Sequence, residues 1–162
     1  MITFKEFMQE SSLSRIKSKS DKGGIATMSA SRADKSAKEN RARAKQLDRD
    51  IRGRGLPGAT KVTGSYVEKG DDGKEKKVKE RSHVVTSGKM GKRKFKKEVK
   101  KLGKKYGQDS VITQTKGGGD ATLKRTRKGG LPKRNIKLGK MKPQGKNPEG
   151  ETQVKGKTYT YE

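Results

Sequence analysis

Few groups in this chain could do acid–base chemistry. His83 is the only histidine, and it stands beside Val84 and Val85 in the alternating run KVKERSHVVTS. Glu80, Glu68 and Asp109 are the acids that a sheet could gather near it, and such a set could exchange protons with a substrate. No spacing rule requires that gathering. A lone histidine beside valines reads as a strand residue, so no catalytic residue is assigned. With one histidine and no cysteine, metal ligation would need a carboxylate cluster. Asp71-Asp72 falls among lysines in a loop, where hydration explains it. The run KGGGD at 116–120 is glycine-rich but lacks the GKS or GKT ending of a phosphate loop. No metal and no cofactor is expected.

What the residue types do supply is phosphate recognition. The 162 residues hold 44 Lys+Arg against 18 Asp+Glu, a net charge of +26. Such a chain repels itself when compact and is eased by a polyanion. The basic groups concentrate in two places. Lys92, Arg93, Lys96, Lys97, Lys100, Lys101, Lys104 and Lys105 surround one helical stripe, and Lys124, Arg125, Arg127, Lys128, Lys133 and Arg134 begin an acid-free stretch running to 148. Contacts of this kind give affinity without sequence reading. Aromatic residues make up only 4%, too few for stacking platforms, which favours double-stranded DNA or structured RNA as partner. No apolar run approaches the roughly 20 residues of a membrane span, so no membrane partner is expected.

The elements that must carry these groups follow from periodicity. Phe95, Val99, Leu102 and Tyr106 recur at helical spacing within Gly91–Gly107 and predict an amphipathic helix docked on a small core. Gly103 interrupts it at about 1 kcal/mol relative to alanine. IATMSA at 25–30 predicts a short strand, followed by a helix capped by Ser31 and running to Arg52, with Ala33, Ala37, Asn40, Ala44, Leu47 and Ile51 inward. Residues 61–68 and 77–87 predict a hairpin turning at Asp72-Gly73. QDSVITQT and ATLKRT predict two more strands. The fold class is therefore α/β (α+β), a small mixed sheet with two helices on one face, flanked by disordered basic segments. The expected organisation is a peptide at 1–10, a linker at 11–24, the domain at 25–126 and a flexible basic tail at 127–162.

Two resemblances accompany this reading. Met1, Thr3, Phe4, Glu6, Phe7 and Glu10 resemble the capsid-targeting peptide of internal proteins of T-even-type tailed phages. That resemblance implies cleavage between Glu10 and Ser11, a prohead scaffold and protease as partners, and a location inside the virion or in the cytoplasm of an infected bacterium. The second covers about residues 25–125. Asn40, Arg43 and Leu47, then Gly64-Ser65-Tyr66-Val67-Glu68, Glu80 and Ser82, and Tyr106-Gly107-Gln108-Asp109-Ser110-Val111 resemble an uncharacterised family of small bacterial and phage proteins. It implies a fold and no activity. The leading expectation is a non-enzymatic, sequence-independent DNA-binding protein packaged with a phage genome. The alternatives are a ribosome-type RNA-binding accessory protein, or a small enzyme or inhibitor acting on host nucleic-acid machinery through Glu80, His83 and Asp109.

Overall fold

The Asp72-Gly73 turn joins the two longest strands. Gly73 takes a left-handed φ of 76°, and the Asp72 carboxylate accepts from the Lys74 amide at 3.0 Å. The hairpin consists of β2 (Thr60–Lys69) and β3 (Glu75–Thr86), paired from Thr60↔Val84 to Lys69↔Glu75. The computed structural model to which it belongs describes residues 4–69, 71–129, 132–145, 147 and 150–162, with the side chains of 4–11, 68 and 69 outside that description. Three helices are described, α1 (Phe4–Lys22), α2 (Ala37–Gly53) and α3 (Lys92–Lys105). The other strands are β1 (Ile25–Met28), β4 (Ser110–Gln114), β5 (Ala121–Arg125), β6 (Ile136–Gly139), β7 (Met141–Pro143), β8 (Gly150–Val154) and β9 (Lys157–Tyr161).

These strands form one sheet in the order β6-β5-β4-β1-β3-β2-β8-β9-β7, and every pair described is antiparallel. Its two outermost strands are consecutive in the chain. Lys140, the residue between β6 and β7, exchanges both backbone hydrogen bonds with Glu162, at 2.8 and 2.9 Å. One run of backbone therefore serves both edges and curls the sheet nearly into a barrel. Gly139 makes the closure possible. Its φ is 97°, and a Cβ there would fall 2.2 Å from the Glu162 backbone.

The alternation of β3 sorts the two faces. Val85 and His83 point outward towards α2 and α3, and Ser82 and Val84 point inward. The outer core joins Met28, Leu47, Ile51, Val85, Phe95, Val99, Leu102, Tyr106 and Val111, with the α3 residues Phe95, Val99 and Leu102 fully buried. The α/β class, with α2 and α3 on one face of the sheet, is what the structure shows, and the α3 stripe is the one its spacing predicts. Helix α2 begins later than the sequence suggested. Ser36 and Glu39 form a reciprocal capping box, which outcompetes Ser31, and residues 31–35 become a turn.

Both ends of the chain depart from expectation. Residues 11–24, expected as a linker, continue α1 to Lys22, with Leu13 and Ile16 packed among Ile25, Val62, Val84, Met141, Val154 and Tyr159. This helix plugs one end of the barrel. Ser20 donates to the Gln114 side chain at 2.6 Å and fixes the plug to β4. Residues 136–161, expected as part of a flexible tail, supply four strands. Their apolar content is too low to fold alone, but Met141, Val154 and Tyr159 bury against the hairpin and the plug.

Candidate functional site

The barrel end away from α1 is open and leads into a cavity of about 880 Å³. That is within the range of small-molecule sites. Strand alternation builds its wall. Glu80 and Ser82 stand on the inner face of β3, Gly64 and Tyr66 on β2, Thr27 on β1, Ser110 and Ile112 on β4, and Thr152 on β8. Glu151, Asp109 and Gln108 complete the rim, and Tyr159 and Tyr161 close the inner side with their rings edge to face at 5.9 Å. Burial pushes the Tyr161 phenol up to about 12, so it is a neutral hydrogen-bonding group at ordinary pH. Three carboxylates thus line a hydroxyl-rich cavity in a chain whose net charge is +26. Such a site suits a ligand with positive charge and many acceptors.

The rim is held by several side chain-to-backbone bonds. Arg43 donates to the carbonyls of Ala30 and Tyr106, and Arg32 donates to that of Gly107 at 2.7 Å. Gln108 donates to Ser31, and Thr126 donates to the Gln108 carbonyl. Asp109 itself pairs with Arg127. Behind the rim, Asp50 on α2 accepts from the Tyr106 hydroxyl at 2.5 Å and from Lys105 at 2.7 Å. Burial alone would raise the Asp50 carboxyl, but the bonds from Lys105, Tyr106 and Gln46 outweigh it and hold it at about 2. The same burial, together with Asp50, pushes the Tyr106 phenol well above its ordinary range.

Of the three residues weighed as an enzymatic site, the structure brings Glu80 and Asp109 to the cavity and leaves His83 out. His83 lies on the outer face, 2% exposed, with Nε2 3.3 Å from Asp48 on α2. Burial lowers its pKa, outweighing the Asp48 carboxylate, so it is a neutral core residue. Glu68 falls outside the described side chains. Among the described residues no three His, Cys, Asp or Glu side chains gather to hold a metal.

The basic residues lie elsewhere. Lys92, Arg93, Lys97, Lys100, Lys101, Lys104 and Lys105 are exposed on α3, and Lys96 is half-buried. Lys124 on β5 lies beside this helix; burial and then Lys96 and Lys100 lower its pKa. Arg125 bonds the carbonyls of Lys133 and Arg127, while Lys128, Lys133 and Arg134 are exposed in the connection to β6. Glu10 and Ser11 lie within the backbone of α1, their side chains outside the described set. Among described residues, no helix is long and apolar enough to cross a membrane.

Among the cavity residues that sequence reasoning missed are Thr27, Ser29, Glu151, Thr152, Tyr159 and Tyr161. A signal existed for others. Gly64, Ser65, Tyr66, Ser82, Gln108, Ser110 and Val111, singled out by resemblance, and Glu80 and Asp109, weighed also as acid–base residues, all line it. The sequence model of the S-adenosylmethionine lyase family matches residues 26–162. No curated protein matches the chain. The family match replaces both earlier resemblances, to a capsid-targeting peptide and to an uncharacterised family. It also overturns the expectation of a non-enzymatic DNA-binding protein packaged in a virion. The physical reason is that net charge describes a surface and its solubility, whereas a cavity within a curled sheet is set by a few inward positions.

Proposed function

We propose, because the chain belongs to the S-adenosylmethionine lyase family, that it cleaves S-adenosylmethionine at the sulfonium without using water. The observation that carries the reading is the barrel-mouth cavity with Glu80, Asp109 and Glu151 on its wall. The substrate carries a sulfonium and an ammonium, which Glu80 and Glu151 attract, while Asp109 is shared with Arg127. Thr27, Ser82, Ser110 and Thr152 offer donors and acceptors to the ribose and purine.

The chemistry needs little from a base. The substrate's own carboxylate attacks Cγ of its aminobutyrate arm. An O–C bond forms, the S–Cγ bond breaks, and the electron pair returns to sulfur. The products are a five-membered lactone and 5′-methylthioadenosine, and no proton changes hands. The protein's part is to fold the arm so that carboxylate and Cγ meet, a gain of orientation. Opposite charges disappear along the path, so displacing water from around the folded arm favours it. A lone, outward His83 is no obstacle to such a mechanism. The reaction belongs in a compartment that contains S-adenosylmethionine, and the cytoplasm fits that need.

The test is product analysis in water enriched in oxygen-18. Lactone and 5′-methylthioadenosine should form together, with no heavy oxygen in the lactone as first released. Heavy oxygen in the amino-acid product from the outset would mean hydrolysis, and no turnover would end the reading.

A further inference from the structure

Arg43 stands outside the cavity yet reaches both sides of its rim. It projects from the middle of α2. Nε donates to the Ala30 carbonyl at 2.7 Å and Nη2 to the Tyr106 carbonyl at 2.5 Å. The guanidinium also lies over the Tyr106 ring, 5.4 Å from its centre. Ala30 follows β1 beside Ser29, and Tyr106 ends α3 just before Gln108 and Asp109. Ser29, Gln108 and Asp109 all line the cavity. One planar group therefore ties together two segments that are 76 positions apart in the chain, counted from 30 to 106.

We propose that Arg43 is a positioning residue for the substrate, setting the span between the Ser29 side and the Asp109 side of the rim. The proposal rests on the S-adenosylmethionine reading. Carbonyls at element ends lack a ladder partner and must find a donor elsewhere. A guanidinium donates in two fixed directions at once and never loses its charge. A lysine offers one ammonium on a flexible stem, so one carbonyl would turn to water and its segment would loosen. Asn40 supports the same staple by exchanging bonds with Arg32, each at 3.0 Å. The fold does not hinge on Arg43, because Leu47, Ile51, Phe95, Val99 and Leu102 already fix α2 and α3 to the sheet with no exposure.

Arg43→Lys in the full chain tests this, with Asn40→Ala as a second variant that cuts the staple at its Arg32 end. Amide hydrogen exchange is read first, without substrate. Amides in 30–32 and 106–109 should exchange at least about tenfold faster, while those of the β2–β3 ladder keep their rates and the melting transition stays in place. The KM for S-adenosylmethionine should then rise about tenfold, the equivalent of one charged hydrogen bond, with kcat changed less than about threefold. Unchanged exchange in both segments overturns the proposal. So does faster exchange across the whole protein with a lower melting point, which makes Arg43 a general support. Local loosening with an unchanged KM also overturns it, since the rim would then not govern substrate. A wild-type protein that leaves S-adenosylmethionine intact defeats the functional reading and this proposal with it. The exchange data separate that failure from the others.

Discussion

Replacing Gly103 with alanine sets two opposing effects against each other on the buried side of α3. Helix propensity favours alanine by about 0.8–1.0 kcal/mol. Space opposes it. A Cβ on Gly103 would fall 2.6 Å from Val111 Cγ1 and 3.0 Å from Thr126 Cγ2. Neither neighbour can swing away. Val111 is 2% exposed and stiff at χ1, and Thr126 donates to the carbonyls of Gln108 and Asp109. Overpacking of this kind costs about 1–3 kcal/mol, so the net expectation is a loss of about 1 kcal/mol. Gly53→Ala is the matched control, because nothing lies within 4 Å of the added carbon. It should gain about 0.4–1 kcal/mol. Urea unfolding of both variants measures the difference, provided the slopes stay equal. If Gly103→Ala stabilised the protein as much as Gly53→Ala, α3 would not press on β4 as described. The argument that Gly103 is there for close approach would then be wrong.

Further expectations follow from the site and the plug. Glu80→Gln should raise the KM for S-adenosylmethionine roughly tenfold, about 1.4 kcal/mol, with little change in melting; an unchanged KM would remove Glu80 from the substrate's surroundings. Ile16, 3% exposed in the plug, should cost about 2–4 kcal/mol on change to alanine, and a loss below about 1 kcal/mol would mean that α1 is dispensable. His83 is held below the ordinary histidine value by burial, so its contribution to stability is complete above about pH 6.5 and is lost as pH falls through its folded value. Melting temperature should therefore drop between pH 7 and pH 5, and His83→Phe should flatten that slope; an equal slope in the variant would place the titrating group elsewhere.

Much of the fold was legible because hydrophobic spacing is a local signal. The stripe Phe95, Val99, Leu102, Tyr106 specifies α3 and its buried face, and alternation through Ser82, His83, Val84 and Val85 assigns faces on β3. Residues 136–161 were not legible, because their strands draw stability from partners far away in sequence. Met141, Val154 and Tyr159 bury against Leu13 and Ile16 of the plug and Val62 and Val84 of the hairpin, none of which a window over the tail contains. The cavity was lost for the same reason. Glu151, Thr152 and Tyr161 sit on strands that composition alone reads as disorder. Charge misdirected the functional reading, since 44 basic residues dominate the composition while three acids around one cavity do not. Glu80 and Asp109 were named as possible site residues, but their union depends on β1 pairing between β3 and β4, a topological fact that no motif encodes.

The bond pair between Lys140 and Glu162 has a consequence for how the chain finds its shape. That pair extends the β7–β9 ladder, so the β7 edge is seated only after residues 157–162 are in place. Likewise Ile16, near the start, packs with Val154 and Tyr159, near the end. Most of the contacts that matter are therefore long in sequence, which places the protein among slow folders, on a scale of about milliseconds to seconds. During synthesis the β2–β3 hairpin and α3 can form early, but the β6 and β7 edges stay open and α1 lacks half its seat. Through that interval Lys137 on β6 and Lys142 on β7 keep unfinished chains apart, because like-charged edges repel before they can pair.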